Sequence, residues 1–205
     1  MGKSGRLQAA PRCQGYLIVD TGSEGVRADQ LALALQRRPV ASVLLRGRHD
    51  NPELLRSWIA ACQSANAAGL VEGDADLAVA VGADGLHLPY PGDLATAEQG
   101  YRQARAILGT GRIVGASAGL IRHDAMVLAE LGADYIAFEG ADGGDLTPLL
   151  ELVAWWAELF EVPCVAWNAG SLKAAGQFAE AGADFVAAGS LDILSAIAEP
   201  QGAGV

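Results

Sequence analysis

Arg46-Gly47-Arg48 and two runs of small polar residues, Asn168-Ala169-Gly170-Ser171 and Gly189-Ser190-Leu191, are the segments best suited to holding an anion. Guanidinium groups offer paired N–H donors that match phosphate oxygens. Small residues let backbone N–H groups approach the anion, and Ser190 stands where a helix would begin with its first N–H groups unpaired. Asn168, Ala169, Gly170, Gly189 and Ser190 are therefore phosphate-binding candidates; the bland alternative is a serine N-cap beside a glycine turn. The arginine pair, taken alone, is equally an ordinary surface pair. His49, Glu72, Asp74, Asp93, Ser117, Glu139 and Asp142 also fall at or just beyond the ends of short apolar runs, and Glu139 or Asp142 could serve as a base. His87, between Leu86 and Leu88, reads as a hydrogen-bonded interior residue rather than a base. Trp167 can wall a ring-shaped ligand, whereas Trp155-Trp156 and Phe160 read as packing or oligomer contacts.

The elements that must position these residues alternate regularly. Strands are expected at Tyr16 to Asp20, Ser42 to Arg46, Ala68 to Val71, Gly85 to Leu88, Ile113 to Ser117, Tyr135 to Phe138, Cys164 to Trp167 and Phe185 to Ala188. Amphipathic helical stretches follow each: Val26 to Gln36, Pro52 to Asn66, Ala75 to Val81, Leu94 to Leu108, Arg122 to Leu131, Leu146 to Phe160, Leu172 to Ala181 and Asp192 to Ala198. Gly-Ala-Asp recurs at residues 82–84, 132–134 and 182–184, an interval of 50 residues that equals two strand–helix units. The glycine suits a helix C′ position and the aspartate a short turn into the next strand, so these carboxylates read as structural. No G-x-G-x-x-G turn follows the first strand, where Thr21-Gly22-Ser23-Glu24-Gly25 stands. The expected fold is a single (β/α)8 TIM barrel over residues 15–199, between a disordered lead-in at 1–14 and a flexible tail at 200–205. In such a barrel ligands sit at the C-terminal ends of the strands.

Composition narrows the partners. The chain of 205 residues carries 24 acidic against 14 basic side chains, a formal charge of −10, which disfavours nucleic acid and anionic membrane surfaces. Cys13, Cys62 and Cys164 are odd in number and widely spaced, arguing against a disulfide framework and for a reducing, cytoplasmic setting. No apolar run approaches membrane-spanning length.

Several ordered segments carry a family resemblance: Val81-Gly82-Ala83-Asp84-Gly85-Leu86-His87-Leu88, Val114-Gly115-Ala116-Ser117, Gly132-Ala133-Asp134-Tyr135-Ile136, Val162-Pro163-Cys164-Val165-Ala166 and Ala181-Gly182-Ala183-Asp184. From about Gly15 to Ser195 the chain resembles thiamin phosphate synthase and the related thiazole tautomerase. The resemblance implies that a pyrimidine diphosphate is joined to a thiazole phosphate with release of pyrophosphate, through a cation-like state and with Mg²⁺ neutralising the leaving group. It makes Arg46, Arg48 and Ser117 catalytic candidates, Ser190 the phosphate-loop serine, and Asp93 with Glu72 or Asp74 the metal candidates. The implied ligand is a small phosphorylated heterocycle, in a protein that can be a homo-oligomer. The sequence departs from the family pattern at several points. Glu72-Gly73-Asp74 replaces Asn-Asp-Arg, Leu44 replaces a glutamine, and Asn168 replaces a glycine. The segment Gly140-Ala141-Asp142-Gly143-Gly144-Asp145 lacks both the expected lysine and the tautomerase histidine. Two other readings stay open: a paralogue that binds a phosphorylated small molecule without synthase activity, and an isomerase or lyase on another phosphorylated compound.

Overall fold

The computed structural model describes residues 13–21, 27–47, 51–140 and 144–198. Strand and helix alternate throughout. The first half comprises β1 (Gln14–Asp20), α1 (Ala28–Arg37), β2 (Ser42–Arg46), α2 (Pro52–Ser64), β3 (Ala68–Glu72), α3 (Ala75–Val81), β4 (Gly85–Leu88) and α4 (Leu94–Leu108). The second half comprises β5 (Ile113–Ser117), α5 (Arg122–Glu130), β6 (Tyr135–Phe138), α6 (Thr147–Leu159), β7 (Cys164–Ala166), α7 (Leu172–Glu180), β8 (Phe185–Ala188) and α8 (Leu191–Ala198). Every neighbouring pair of strands is parallel, and β8 returns to β1 to close the barrel expected from the alternation. Gln14, expected in the lead-in, already pairs with Phe185 on β8. Glu72, expected just past its strand, is the last residue of β3, and Trp167 lies one residue beyond β7. Residues 1–12 and 199–205, the expected helix start at Val26, and the candidates Arg48, His49 and Asp142 lie outside the described residues.

Period-two alternation divides each strand between two cores. On β1, Leu17 and Val19 join the larger cluster between sheet and helices, while Tyr16 and Ile18 turn into the barrel. Leu44, Leu70, Tyr135, Ala137, Val165, Trp167 and Ala187 fill that interior with them. Leu44, standing where the family pattern has glutamine, is fully buried among these apolar side chains.

The recurring aspartates brace the barrel at the other end from its loops. Asp84 Oδ2 accepts the Gly69 N–H at 2.8 Å, Asp134 Oδ2 the Val114 N–H at 2.7 Å, and Asp184 Oδ2 the Cys164 N–H at 2.8 Å. Each thereby ties the turn before an even-numbered strand to the start of the preceding odd-numbered one. Gly82, Gly132 and Gly182 hold φ of 73°, 97° and 99°, the left-handed conformation that ends each helix at no steric cost. Arg105 strengthens the middle brace by donating to Asp134 Oδ2 at 2.6 Å and to the Arg112 carbonyl at 2.8 Å.

Gly115 makes room for the largest interior contact. A Cβ at this position would lie 1.9 Å from Cζ of Tyr135, inside the ring. Gly115→Ala must therefore push Tyr135 aside or spread β5 from β6, a form of overpacking that costs about 1–3 kcal/mol. A thermal melt of this variant is expected to show Tm lowered by several degrees, at roughly 2–4 °C per kcal/mol; an unchanged Tm would show that the ring does not occupy that space.

Candidate active site at the barrel mouth

Phosphate candidates far apart in sequence meet in one cleft. A cavity of about 480 Å³ at the C-terminal ends of β1, β2 and β8 is lined by Asp20, Arg46, Asn168, Gly189, Ser190 and Asp192, among others. The loops after β7 and β8 shape it. Asn168 holds φ of 57°, a left-handed conformation that asparagine tolerates better than most residues. The Ala169 N–H donates to the Ala187 carbonyl at 2.8 Å, so Ala169 shapes the loop rather than offering a donor to a ligand. A Cβ at Gly170 or Gly189 would meet nothing within 4 Å, but only Gly189 lines this cleft; Gly170 lines a separate cavity beside Trp167 and Ser171. Ser171 caps α7 by accepting the Ala174 N–H at 3.2 Å, and Ser190 Oγ accepts the Asp192 N–H at 3.2 Å where α8 begins. The site thus has a helix N-terminus, with its partial positive charge, at the edge of the cleft.

Charged side chains ring the mouth beside it. Asp20 and Arg46 are register partners at the ends of β1 and β2, with Arg46 Nη2 3.7 Å from Asp20 Oδ2. Thr21 fixes the end of β2 by donating both its N–H and its hydroxyl to the Arg46 carbonyl, at 2.8 and 2.9 Å. Glu72 follows on β3, half-buried. Burial pushes its carboxyl above the ordinary value, Arg46 pulls it back down, and the nearby carboxylates Glu139 and Asp20 raise it further. Asp20 was not among the site residues expected from sequence. Its signal is parity, since Tyr16, Ile18 and Asp20 share one face of β1 and the first two point inward.

Ser117, His87 and Trp167 belong to the barrel interior under this mouth. Ser117 Oγ, at the end of β5 and 2% exposed, lies 3.2 Å from His87 Nε2. His87 Nδ1 lies 3.0 Å from the Tyr135 hydroxyl, which lies 2.9 Å from that of Tyr16. Trp167 stacks on the imidazole with ring centroids 4.5 Å apart and 16° between planes. Burial pulls the imidazole down to about 3, so it is neutral at physiological pH, in keeping with an interior role. Trp156 is fully buried and donates to the Val162 carbonyl at 2.7 Å, whereas Trp155 lies under the Arg122 guanidinium.

The carboxylates singled out as metal candidates stand in two settings. Asp74 caps α3 by accepting the Leu77 N–H at 2.8 Å, and Asp93 caps α4 by accepting the Thr96 N–H at 2.9 Å. That hydrogen bond holds the Asp93 carboxyl below its ordinary value, so it is ionised. Glu72 instead faces the mouth. Among the described residues no three His, Cys, Asp or Glu side chains are grouped so as to hold a metal ion, and no helix is long and apolar enough to cross a membrane.

The raised Glu72 carboxyl has a stability consequence whose sign is fixed. A protonated Glu72 favours the folded state below the ordinary value of 4.5, and this contribution is lost as pH rises through the higher folded value. Glu72→Gln, which cannot ionise, is expected to raise Tm at pH 7 and to leave it unchanged near about pH 3. Thermal melts at both pH values check this, and a Tm lowered at pH 7 would mean that attraction to Arg46 outweighs burial.

The chain is similar to known proteins at the level of family and fold. A family model described as thiamine monophosphate synthase matches residues 15–191. A thiamine-phosphate synthase of Rhodospirillum centenum is 35% identical over 189 residues, covering 85% of this chain and 86% of the relative. One from Erythrobacter litoralis is 36% identical over 188 residues, covering 85% of each. In fold, the chain is similar to the solved thiamine phosphate pyrophosphorylase of Pyrococcus furiosus, with a TM-score of 0.70 at 22% identity over 92% of this chain and 93% of that one. With the family model matching most of its length and relatives of this identity covered almost end to end, the chain belongs to the thiamine monophosphate synthase family.

Proposed function

We propose that this barrel joins a pyrimidine diphosphate to a thiazole phosphate, releasing pyrophosphate, the reaction implied by its resemblance to thiamin phosphate synthase and in line with relatives named thiamine-phosphate synthases. The observation that carries the reading is the cleft in which Arg46 meets Gly189 and Ser190. Such a cleft suits two anionic groups. A phosphate can take backbone donors at the start of α8, and a diphosphate can take the Arg46 guanidinium, with Arg48 as a second candidate cation. Departure of the diphosphate leaves positive charge on the pyrimidine fragment. Glu72, Glu139 and Asp20 can stabilise that charge electrostatically while the thiazole forms the new bond.

Magnesium enters this proposal as the counter-ion of the diphosphate. The candidate donors Asp93, Glu72 and Asp74 are all carboxylates, which suits a hard cation that keeps water and phosphate oxygens among its ligands and needs only one or two protein groups. When bound, it would neutralise charge on the leaving group. A reducing cytoplasmic setting and a homo-oligomer belong to the same reading, supported by three free cysteines and by exposed Leu120, Ile121 and Met126 around α5.

A second reading, a phosphate ligand held without turnover, is favoured by one observation: Asp74 and Asp93 both serve as helix caps. Incubation with both substrates and Mg²⁺, with fluorescent detection of thiamin phosphate and an EDTA control, separates the two. Metal-dependent product is expected, with kcat/KM lowered roughly 100-fold in Arg46→Ala, as for loss of a charge-stabilising donor. Folded protein that binds the thiazole phosphate tightly without Mg²⁺ and forms no product would establish the second reading.

A further inference from the structure

We propose that the cleft over β1 takes phosphomonoesters carrying a short apolar group, with the phosphate at Arg46, Gly189 and Ser190 and the apolar group in a slot between α1 and α8. This ligand class rests on the phosphate end of the proposed site but not on the synthase reaction. At about 480 Å³ the cavity falls in the range of roughly 300–1,000 Å³ that encloses whole small molecules, so a phosphate alone leaves much of it unused. Leu17 and Val19 on β1, Leu31 and Ala34 on α1, and Leu191 on α8 line the part away from the charged groups.

The places of these residues give the slot its direction. Leu17 and Val19 belong to the cluster between sheet and helices, so the cavity runs down the outer side of β1. Leu17 lies three residues before Asp20, about 10 Å of strand below the rim. Gln30, Leu31 and Ala34 fall on one face of α1 by helical spacing, and all three border the cavity. One turn further along α1, Arg38 donates to the Leu191 carbonyl at 3.3 Å and to Asp192 Oδ1 at 2.5 Å. Leu191 borders both this cavity and another beneath it, whereas Arg38 borders only the lower one, so the bridge from Arg38 to α8 is the floor of the slot. The barrel axis offers no rival path: Tyr16, Leu44, Tyr135 and Trp167 fill it, none more than 5% exposed. A cavity on the other side of Asn168, beside Trp167, borders neither Arg46 nor Ser190. An apolar group tethered to a phosphate at Ser190 therefore chooses between slot and solvent, and removal of carbon from water favours the slot. Ala34, half-buried and only a methyl in size, keeps the middle of the slot open.

Calorimetric titration of the full chain with inorganic phosphate and with n-alkyl phosphates from methyl to hexyl reads the slot directly. Affinity is expected to rise roughly 2- to 4-fold per methylene, the upper figure corresponding to full burial of each group. Ala34→Leu puts a larger side chain into the slot while keeping a good helix former, and is expected to flatten the series without changing the affinity for inorganic phosphate. Leu33→Ala, on the exposed side of the same helix at 55% exposure, is expected to change neither. Arg46→Ala is expected to weaken every member of the series alike. A flat series in the unaltered protein, or a rising one that Ala34→Leu leaves intact, would overturn the slot. Alkyl phosphates and inorganic phosphate that all fail to bind would remove the phosphate end, and with it the proposed reading of the cleft. Thiamin phosphate formation beside a flat series would instead remove the slot alone and leave the synthase reading standing.

Discussion

Closing eight parallel strands into a barrel drives every second strand residue into a narrow interior, and any polar atom carried in must find its partner there. The rest of this structure answers to that constraint. Aliphatic side chains from β1, β2, β3 and β7 fill part of the space, Tyr135 and Trp167 pack against the His87 ring, and Tyr16 packs against both of them. Gly115 matters because it yields its side-chain volume to Tyr135, placing the phenol hydroxyl against His87 Nδ1. Ser117 takes the remaining ring nitrogen, so the floor of the site is held by the same contacts that fill the barrel.

Aspartate does different work at the two ends of this barrel. At the strand starts, Asp84, Asp134 and Asp184 each accept a backbone N–H that the sheet itself leaves without a partner. Arg105 adds charge-assisted bonds to one of them. At the strand ends, Asp74 and Asp93 close the first turns of α3 and α4, as Ser171 does for α7. These caps fix where the mouth loops begin. A carboxylate that caps through one oxygen keeps a second oxygen, so capping and ligand binding compete for orientation rather than for the whole group.

How much of this was legible in the sequence depends on the range of the interaction. The sixteen elements followed from period and turn chemistry, with boundaries differing by a residue or two where helix ends fray, as at α2 and α6. The recurring Gly-Ala-Asp announced structural turns, and the structure supplies their partners. Asn168 stood out as a small polar loop residue and a departure from the family pattern; its positive φ, which the loop after β7 requires, is visible only in the structure. Asp20 escaped notice because its meaning lies in register with Arg46, a contact across 26 positions of sequence that local pattern does not encode. The links from Ser117 to His87 and from Tyr135 to Tyr16 are longer still, and no spacing rule reaches them.

The mouth presents an electrostatic problem to the proposed phosphate ligands. Asp20 and Glu72 lie near Arg46, and Glu139 near Glu72, in a chain whose formal charge is already −10. The ion pair between Arg46 and Asp20 is long at 3.7 Å and substantially exposed on both sides, so it positions the guanidinium weakly and yields readily to a better partner. A diphosphate offers such a partner through two parallel N–H···O bonds. Glu72 eases the remaining repulsion, since its raised carboxyl takes up a proton more readily than an exposed glutamate does. Entry of a multiply charged anion is therefore favoured by whatever neutralises this ring, a proton on Glu72 or a cation travelling with the phosphate. On the proposed reading, the same carboxylates that hinder an unaccompanied diphosphate would stabilise the positive fragment once the diphosphate has left, so the acidic mouth would suit charge separation better than simple anion capture.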